Sequence, residues 1–271
     1  MNHEALQRIL LNVRKHQPLI HCITNPISIN QCANAILAVG ARPIMAEHPD
    51  EVSEITRTAQ ALLLNLGNIT DTRMKSIRIS GETAETSSIP IVLDAVGIAC
   101  SQLRRSYIHE LFSVFAPTVI KGNYSEINAL FQDSYTSSGV DADDSLDTTT
   151  LDRCAVALAR EKSTIILASG KVDILTDGQR LVHLHNGTPQ LSDVTGTGCM
   201  LGALCAAFLS AEQSLNAVVA ACAMLGLAGE KARTSHGNGT FFVNLIDALS
   251  TMTSEEICAN IKLEEISIEN I

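Results

Sequence analysis

Short, largely apolar runs recur along this chain, closed by turn residues and mostly alternating with stretches of helical spacing. Leu19–Ile23, Ala61–Leu66, Ile89–Asp94 and Ser163–Ala168 are the clearest of them. A strand that is apolar on both faces must be covered on both faces, which is the situation of a parallel sheet held between helices. Pro43–Ala46 and Thr118–Lys121 read as further strands. Helices are expected over Ser28–Val39, Leu103–Phe115, Tyr124–Phe131 and Thr150–Lys162. Val172–Thr176 and Arg180–His185, joined by Asp177-Gly178, read as a hairpin. From Thr197 onward the pattern is mostly helical. This order predicts an α/β fold: a mostly parallel central sheet with helices on both faces and a small antiparallel edge.

No repeat or linker interrupts the pattern, and 271 residues are enough for one core, so residues 1–271 read as a single domain. Ser134–Asp147 is polar and acidic and is expected to be a surface loop. The acidic segment 254–271 reads as a peripheral tail, a solvated terminal helix or a frayed end. Residues near the N-terminus form an amphipathic helix with Leu6, Ile9, Leu10 and Val13 on one face. That stretch lacks the continuous apolar core of a signal peptide, and no run reaches the ~20 apolar residues of a membrane span. A net charge of −10 argues against nucleic acid and anionic membrane as partners. The eight cysteines form no C-x-x-C and lie mostly in apolar segments, as reduced, cytoplasmic thiols do.

In open α/β sheets, ligands bind beyond the carboxyl ends of the strands. Polar clusters stand at five such ends: Thr24-Asn25-Pro26, Asn65-Leu66-Gly67-Asn68, Asp94-Ala95-Val96-Gly97, Lys121-Gly122-Asn123-Tyr124-Ser125-Glu126 and Ser169-Gly170-Lys171-Val172-Asp173. Asp193-Val194-Thr195-Gly196-Thr197-Gly198-Cys199 then leads into a long apolar, alanine-rich helix. Glycines admit an anion close to bare N–H groups, and the first turn of a helix offers unpaired N–H groups and partial positive charge. Together they form a phosphate cradle. The glycine spacing is one residue too wide for G-x-G-x-x-G, and no G-x-x-x-x-G-K-[ST] is present. Cys199 stands at the edge of the cradle, where a group receiving a substrate proton belongs.

These segments resemble the hydroxyethylthiazole kinase family of the ribokinase-like fold. The resemblance runs from about Leu10 to Met252. It is carried by Cys22-Ile23-Thr24-Asn25, Asn30-x-x-Ala33-Asn34, Pro43-Ile44-Met45, Leu64-Asn65-Leu66-Gly67, Gly122-Asn123-x-Ser125-Glu126-Ile127 and the 193–199 turn. Most ribokinase-like enzymes have Asp where this chain has Cys199. The resemblance implies phosphorylation of the hydroxyl of 4-methyl-5-(2-hydroxyethyl)thiazole for thiamin salvage, with ATP and Mg²⁺. It also implies a homotrimer with active sites at subunit interfaces. Asn25, Met45, Gly67 and Gly196 should meet the thiazole. Lys121, Ser169, Thr197 and Gly198 should meet ATP, and Asp94 and Glu126 should face Mg²⁺.

The residues themselves leave alternatives open. Cys199 is either a proton acceptor or a small packing residue. Asn123 and Glu126 have the spacing of a capping box as well as that of a carboxylate facing a metal. Asp94 reads equally as a turn residue, Met45 as core filler and Lys121 as an exposed strand end. The family pattern has Pro after this Asp and Arg in place of Lys121. Ala95 is therefore expected to loosen its loop, and Lys121 to act as a point charge without a guanidinium fork. His183 and His185 read as exposed hairpin histidines rather than metal ligands. His236-Gly237-Asn238-Gly239 reads as the start of a helix, beside the adenine or in a simple loop. Three other functions remain in view: a kinase for another vitamin-precursor alcohol, an ATP-dependent lyase on the same fold, and a non-catalytic nucleotide-binding or assembly protein.

Overall fold

The computed structural model describes residues 3–132 and 147–270, so most of the expected surface loop at Ser134–Asp147 lies outside the described residues. The strands are β1 (Leu19–Ile23), β2 (Arg42–Ile44), β3 (Ala61–Asn65), β4 (Ile91–Asp94), β5 (Val119–Asn123), β6 (Ile165–Ser169), β7 (Asp173–Thr176), β8 (Leu181–Leu184) and β9 (Leu263–Ile266). The helices are α1 (His3–His16), α2 (Ile29–Ala38), α3 (Val52–Thr58), α4 (Asp71–Thr86), α5 (Gln102–Leu111), α6 (Tyr124–Phe131), α7 (Thr148–Lys162), α8 (Thr197–Leu209), α9 (Leu215–Ala232), α10 (Asn238–Thr251) and α11 (Ser254–Asn260). The strands form one nine-stranded sheet in the order β2-β1-β3-β4-β5-β6-β7-β8-β9. From β2 to β6 neighbouring strands run parallel, and β7, β8 and β9 add an antiparallel margin.

Side chains that alternate along each strand feed two cores. On β3, Ala61 and Leu63 join the core roofed by α1, α2, α8, α9 and α10. Leu62 and Leu64 join the core roofed by α3 to α7. This double cover explains the all-apolar strands. Helix α9 has the length and hydropathy of a membrane span, yet 83% of it is buried inside the fold, so its apolarity belongs to the core.

Three stretches differ from the sequence reading, which assigns nothing to the short helix α3. The chain end expected as a terminal helix or frayed end begins with the short helix α11 but then forms β9, which pairs antiparallel with β8. Glu264 and Glu265 disguise this strand because it is half-exposed at the sheet margin. The sequence reading assigns nothing to α4, whose inner face carries Arg73, Ser76, Ser80 and Thr83 among Ile77 and Ala84. Small polar residues blur the apolar periodicity that would mark a helix.

Register sets up the site. Asn65 on β3 stands opposite Asp94 on β4, and Asp94 stands opposite Lys121 on β5. Asn65 and Asp94 end their strands, Lys121 lies two residues before the end of β5, and the three form one polar row across the sheet. Helix α8 crosses above the row, and it comes close because Gly202 has no side chain. A Cβ there would sit 3.2 Å from Leu63 Cδ1 and 3.4 Å from Asp94 Oδ2.

Candidate active site

Asp94 is completely buried, and its neighbours explain how a charge persists there. Lys121 Nζ donates to Oδ1 at 3.1 Å and to Oδ2 at 3.2 Å, and Asn65 Nδ2 donates to Oδ2 at 2.8 Å. Burial raises the Asp94 pKa, and the ammonium and the amide oppose that rise. Burial also works against the charge on Lys121, but Asp94 outweighs it and holds the ammonium above the ordinary lysine range. Lys121 is thus a buried partner of Asp94 rather than an exposed strand end. It bridges both oxygens from a single nitrogen, as a point charge does.

Ala95 does not loosen its loop. Its N–H donates to Lys121 O at 2.8 Å, a bond that proline lacks the hydrogen to make. The turn that follows is tied down by Glu126. Gly97 N–H donates to Glu126 Oε1 at 2.7 Å, and Asn123 N–H donates to Oε2 at 2.7 Å. Asn123 Oδ1 in turn accepts the Glu126 N–H at 2.9 Å, which completes a capping box at the start of α6. Burial, only partly offset by Lys121 and these backbone bonds, pushes Glu126 up to about 7.

The glycine turn opens α8 as its spacing predicts. Gly196 is the cap, at φ +93°, in the left-handed region that side chains disfavour. Thr197 Oγ1 donates back to Leu191 O at 2.8 Å. Thr197 and Gly198 are the first two helical residues, and helix geometry leaves their N–H groups without intrahelical partners. A Cβ on Gly198 would lie 3.5 Å from Lys121 Nζ, so the buried ammonium and the positive end of α8 converge on one spot.

Cys199, the third residue of α8, is partly exposed. Its Sγ accepts from Asn25 Nδ2 at 3.2 Å and from Asn65 Nδ2 at 3.4 Å. All eight cysteines are free thiols. Cys32, buried and close to Cys199, is pushed up to about 12 chiefly by its burial.

The structure therefore brings Asn25, Gly67, Asp94, Lys121, Glu126, Gly198 and Cys199 into one connected cluster. Gly196 packs against Ser28 and Gln31 at the start of α2. Ser169 lies one strand farther along, with Oγ donating to Gly122 O at 3.3 Å. Met45 follows the edge strand β2 and packs on the core, with no bond to the cluster among the described residues. His183 is not an exposed hairpin histidine. It is buried, with Nε2 2.8 Å from Asp152 Oδ1, and His185 lies near Glu264. Among the described residues no group of three or more His, Cys, Asp or Glu side chains is arranged to hold a metal ion. Asn238 begins α10, and its Nδ2 donates to Asp193 O at 3.0 Å, which links that helix to the glycine turn.

Residues 10–255 match the model of the hydroxyethylthiazole kinase family. This chain belongs to that family. A Clostridium botulinum protein named hydroxyethylthiazole kinase 2 is 44% identical over 261 residues, covering 94% of this chain and 98% of its own. A Finegoldia magna hydroxyethylthiazole kinase is 39% identical over 263 residues, covering 97% of each chain. The solved hydroxyethylthiazole kinase of Pyrococcus horikoshii superposes with a TM-score of 0.89 at 34% identity, covering 97% of this chain and all of that one. A Bacillus subtilis pyridoxal kinase solved with ADP shares the fold, with a TM-score of 0.60 at 17% identity. Membership makes the chain a phosphotransferase acting on an alcohol, a kinase that uses ATP, with a ribokinase-like fold.

Sequence reasoning did not assign a role to Asn65. It is the hub of the site, bonded to Asp94, Cys199, Asn25 and the Gly67 N–H. Its signs in the sequence are its place at a strand end, two residues before a glycine, and its presence in the Leu64-Asn65-Leu66-Gly67 segment that carries the resemblance. Asp173, which the sequence places in a polar cluster and in the first strand of the hairpin, opens β7. It accepts the Gly170 N–H at 3.1 Å, and burial pushes it up to about 7.

Proposed function

We infer that this chain transfers the terminal phosphoryl group of ATP to the hydroxyl of 4-methyl-5-(2-hydroxyethyl)thiazole in thiamin salvage. One observation carries the reading: the Lys121 ammonium meets the glycine-opened N-terminus of α8 within reach of Cys199. Phosphoryl transfer needs positioning and charge neutralisation above all. The Thr197 and Gly198 amides and Lys121 supply the positive potential for the phosphates. Cys199 takes the proton of the attacking hydroxyl. Asn25, Met45, Gly67 and Gly196 line the thiazole side, and Ser169 borders the nucleotide.

The carboxylates suit Mg²⁺ only through water. Every oxygen of Asp94 and Glu126 already accepts an N–H bond, and the Asp94 carboxylate is shared with an ammonium. Mg²⁺ keeps much of its water shell, so Glu126 would hold it across a water, with Asp94 set behind Lys121. When bound, the ion neutralises charge on the phosphates.

The reading includes a cytoplasmic homotrimer with sites at subunit interfaces. The three-residue edge strand β2 and the exposed apolar residues beside it support this. Ile27, just before α2, is 60% exposed, Leu37 in its last turn is 55% exposed, and Val243 is 59% exposed on α10, which packs against α2. Light scattering after size exclusion reads the mass directly, and an active monomer would contradict shared pockets.

The deciding experiment incubates the protein with Mg·ATP and a panel of heterocyclic alcohols, then reads products by mass spectrometry. A phosphate ester of the thiazole alcohol is expected. An ester formed only with another vitamin-precursor alcohol, ATP cleavage without any ester, or binding without turnover would each replace this reading with a rival.

A further inference from the structure

The two asparagines beside Cys199 have their orientations fixed by backbone groups. Asn25 Oδ1 accepts the Ser28 N–H at 3.1 Å, so its amino group faces the other way. Asn65 Oδ1 accepts the Gly67 N–H at 2.8 Å, and its amino group faces the Asp94 carboxylate, where a carbonyl oxygen would be repelled. Each Nδ2 has two hydrogens to give. Asn25 gives one to Asn65 Oδ1 at 3.2 Å and one to Cys199 Sγ at 3.2 Å. Asn65 gives one to Asp94 Oδ2 and one to Cys199 Sγ at 3.4 Å. Every hydrogen is accounted for, and the sulfur is left with two incoming donors.

We propose that Asn65, together with Asn25, is a positioning residue for Cys199: the paired carboxamides hold its sulfur as a hydrogen-bond acceptor, ready to receive a proton. Hydrogen bonds to the charged form of a group favour that form. The carboxamides do this from the strand side, and the N-terminus of α8 does it along the helix. Asp94 orients Asn65, and Lys121 holds Asp94 by both oxygens, so the polar row on the sheet ends at the sulfur. The proposal rests on the reading of Cys199 as proton acceptor. In that step the alcohol oxygen forms a bond to the terminal phosphorus, the bond from that phosphorus to the nucleoside diphosphate breaks, and the alcohol proton passes to Sγ. Gly67 belongs to the same device. A Cβ there would sit 2.8 Å from Asn65 Oδ1 and 3.0 Å from Asn25 Nδ2, forcing the pair apart.

The test is site-resolved alkylation of the full-length protein by iodoacetamide, read by mass spectrometry at pH 7 and pH 10. Cys100 is exposed and serves as the internal reference. In the wild type, the Cys199 rate relative to Cys100 is expected to be higher at pH 7 than at pH 10, where all accessible thiols ionise. Asn65→Leu and Asn25→Leu should each lower the Cys199 rate at pH 7 about tenfold, the effect of one hydrogen bond to a charged group. At pH 10 the variants should match the wild type. Equal ratios at the two pH values in the wild type, or an unchanged pH 7 rate in either folded variant, would overturn the proposal. The wild-type arm decides even if both variants misfold. The alkylation uses neither ATP nor alcohol, so its outcome is separate from the phosphate-ester assay that decides the reaction.

Discussion

Asp94 and Lys121 are register partners on neighbouring strands, and their side chains form a buried ion pair with Nζ 3.1 Å from Oδ1 and 3.2 Å from Oδ2. The pair sits under the first turn of α8, so its charge balance governs both stability and the potential at that helix N-terminus.

Removing one partner leaves the other charged and unpaired in a dry interior. Lys121→Met or Asp94→Leu is expected to lower unfolding stability by about 3–5 kcal/mol. The double variant should be less destabilised than the sum of the two single variants, because no orphaned charge remains. Urea denaturation of all four proteins measures this.

Glu126 gives the folded protein a pH dependence of definite sign. Its folded pKa of about 7 lies above the ordinary value of 4.5, so the native state holds this proton more tightly than the unfolded chain. The contribution is complete below pH 4.5 and is lost as pH rises to about 7, at no more than about 1.4 kcal/mol per pH unit for one group. Asp173, also pushed up to about 7, adds a slope of the same sign. Denaturation midpoints at pH 5, 6, 7 and 8 should therefore fall less steeply in Glu126→Gln than in the wild type.

Gly67→Ala tests whether the asparagine pair tolerates displacement. The added methyl would press into Asn65 Oδ1 and Asn25 Nδ2. A misplacement of about 1 Å near the reacting atoms costs on the order of 10²-fold in rate. Steady-state kinetics should show that loss in kcat/KM.

Cys199→Ala removes the proposed proton acceptor and leaves the α8 amides in place. A general base contributes roughly 10²–10⁴-fold, so kcat should fall by that range. ATP affinity, read by calorimetry, should stay within about twofold. An unchanged kcat would return Cys199 to a packing role.

The layered fold was legible because it is written locally. Doubly buried strands are apolar along most of their length, and α6 falls on the residues its pattern marks, Tyr124–Phe131. The glycine turn could be read for the same reason, since Gly196 and the start of α8 are neighbours in sequence. Relationships between strands were not legible. Nothing near Asn65 in the sequence states that Asp94 stands opposite it, so its place at the hub appears only once the strands are aligned. Nor does the hairpin sequence reveal that α7 brings Asp152 to His183, which turns a seemingly exposed imidazole into a buried one. Strand β9 escaped because its two glutamates face outward at the margin, where burial leaves no pattern to read.

The polar row also serves as an alignment key for the sheet. Leu62, Leu63, Leu64 and Leu66 are so alike that greasy contacts alone barely distinguish β3 from a copy of itself slid by one position. Sliding would set a leucine across from Asp94 and take the Asn65 amide away from Oδ2, the loss of one hydrogen bond to a buried charge, about 1.5–3 kcal/mol. Asn65 thus makes the correct threading of the central strands the cheapest one, and the same atoms that prepare the thiol keep the architecture from misassembling.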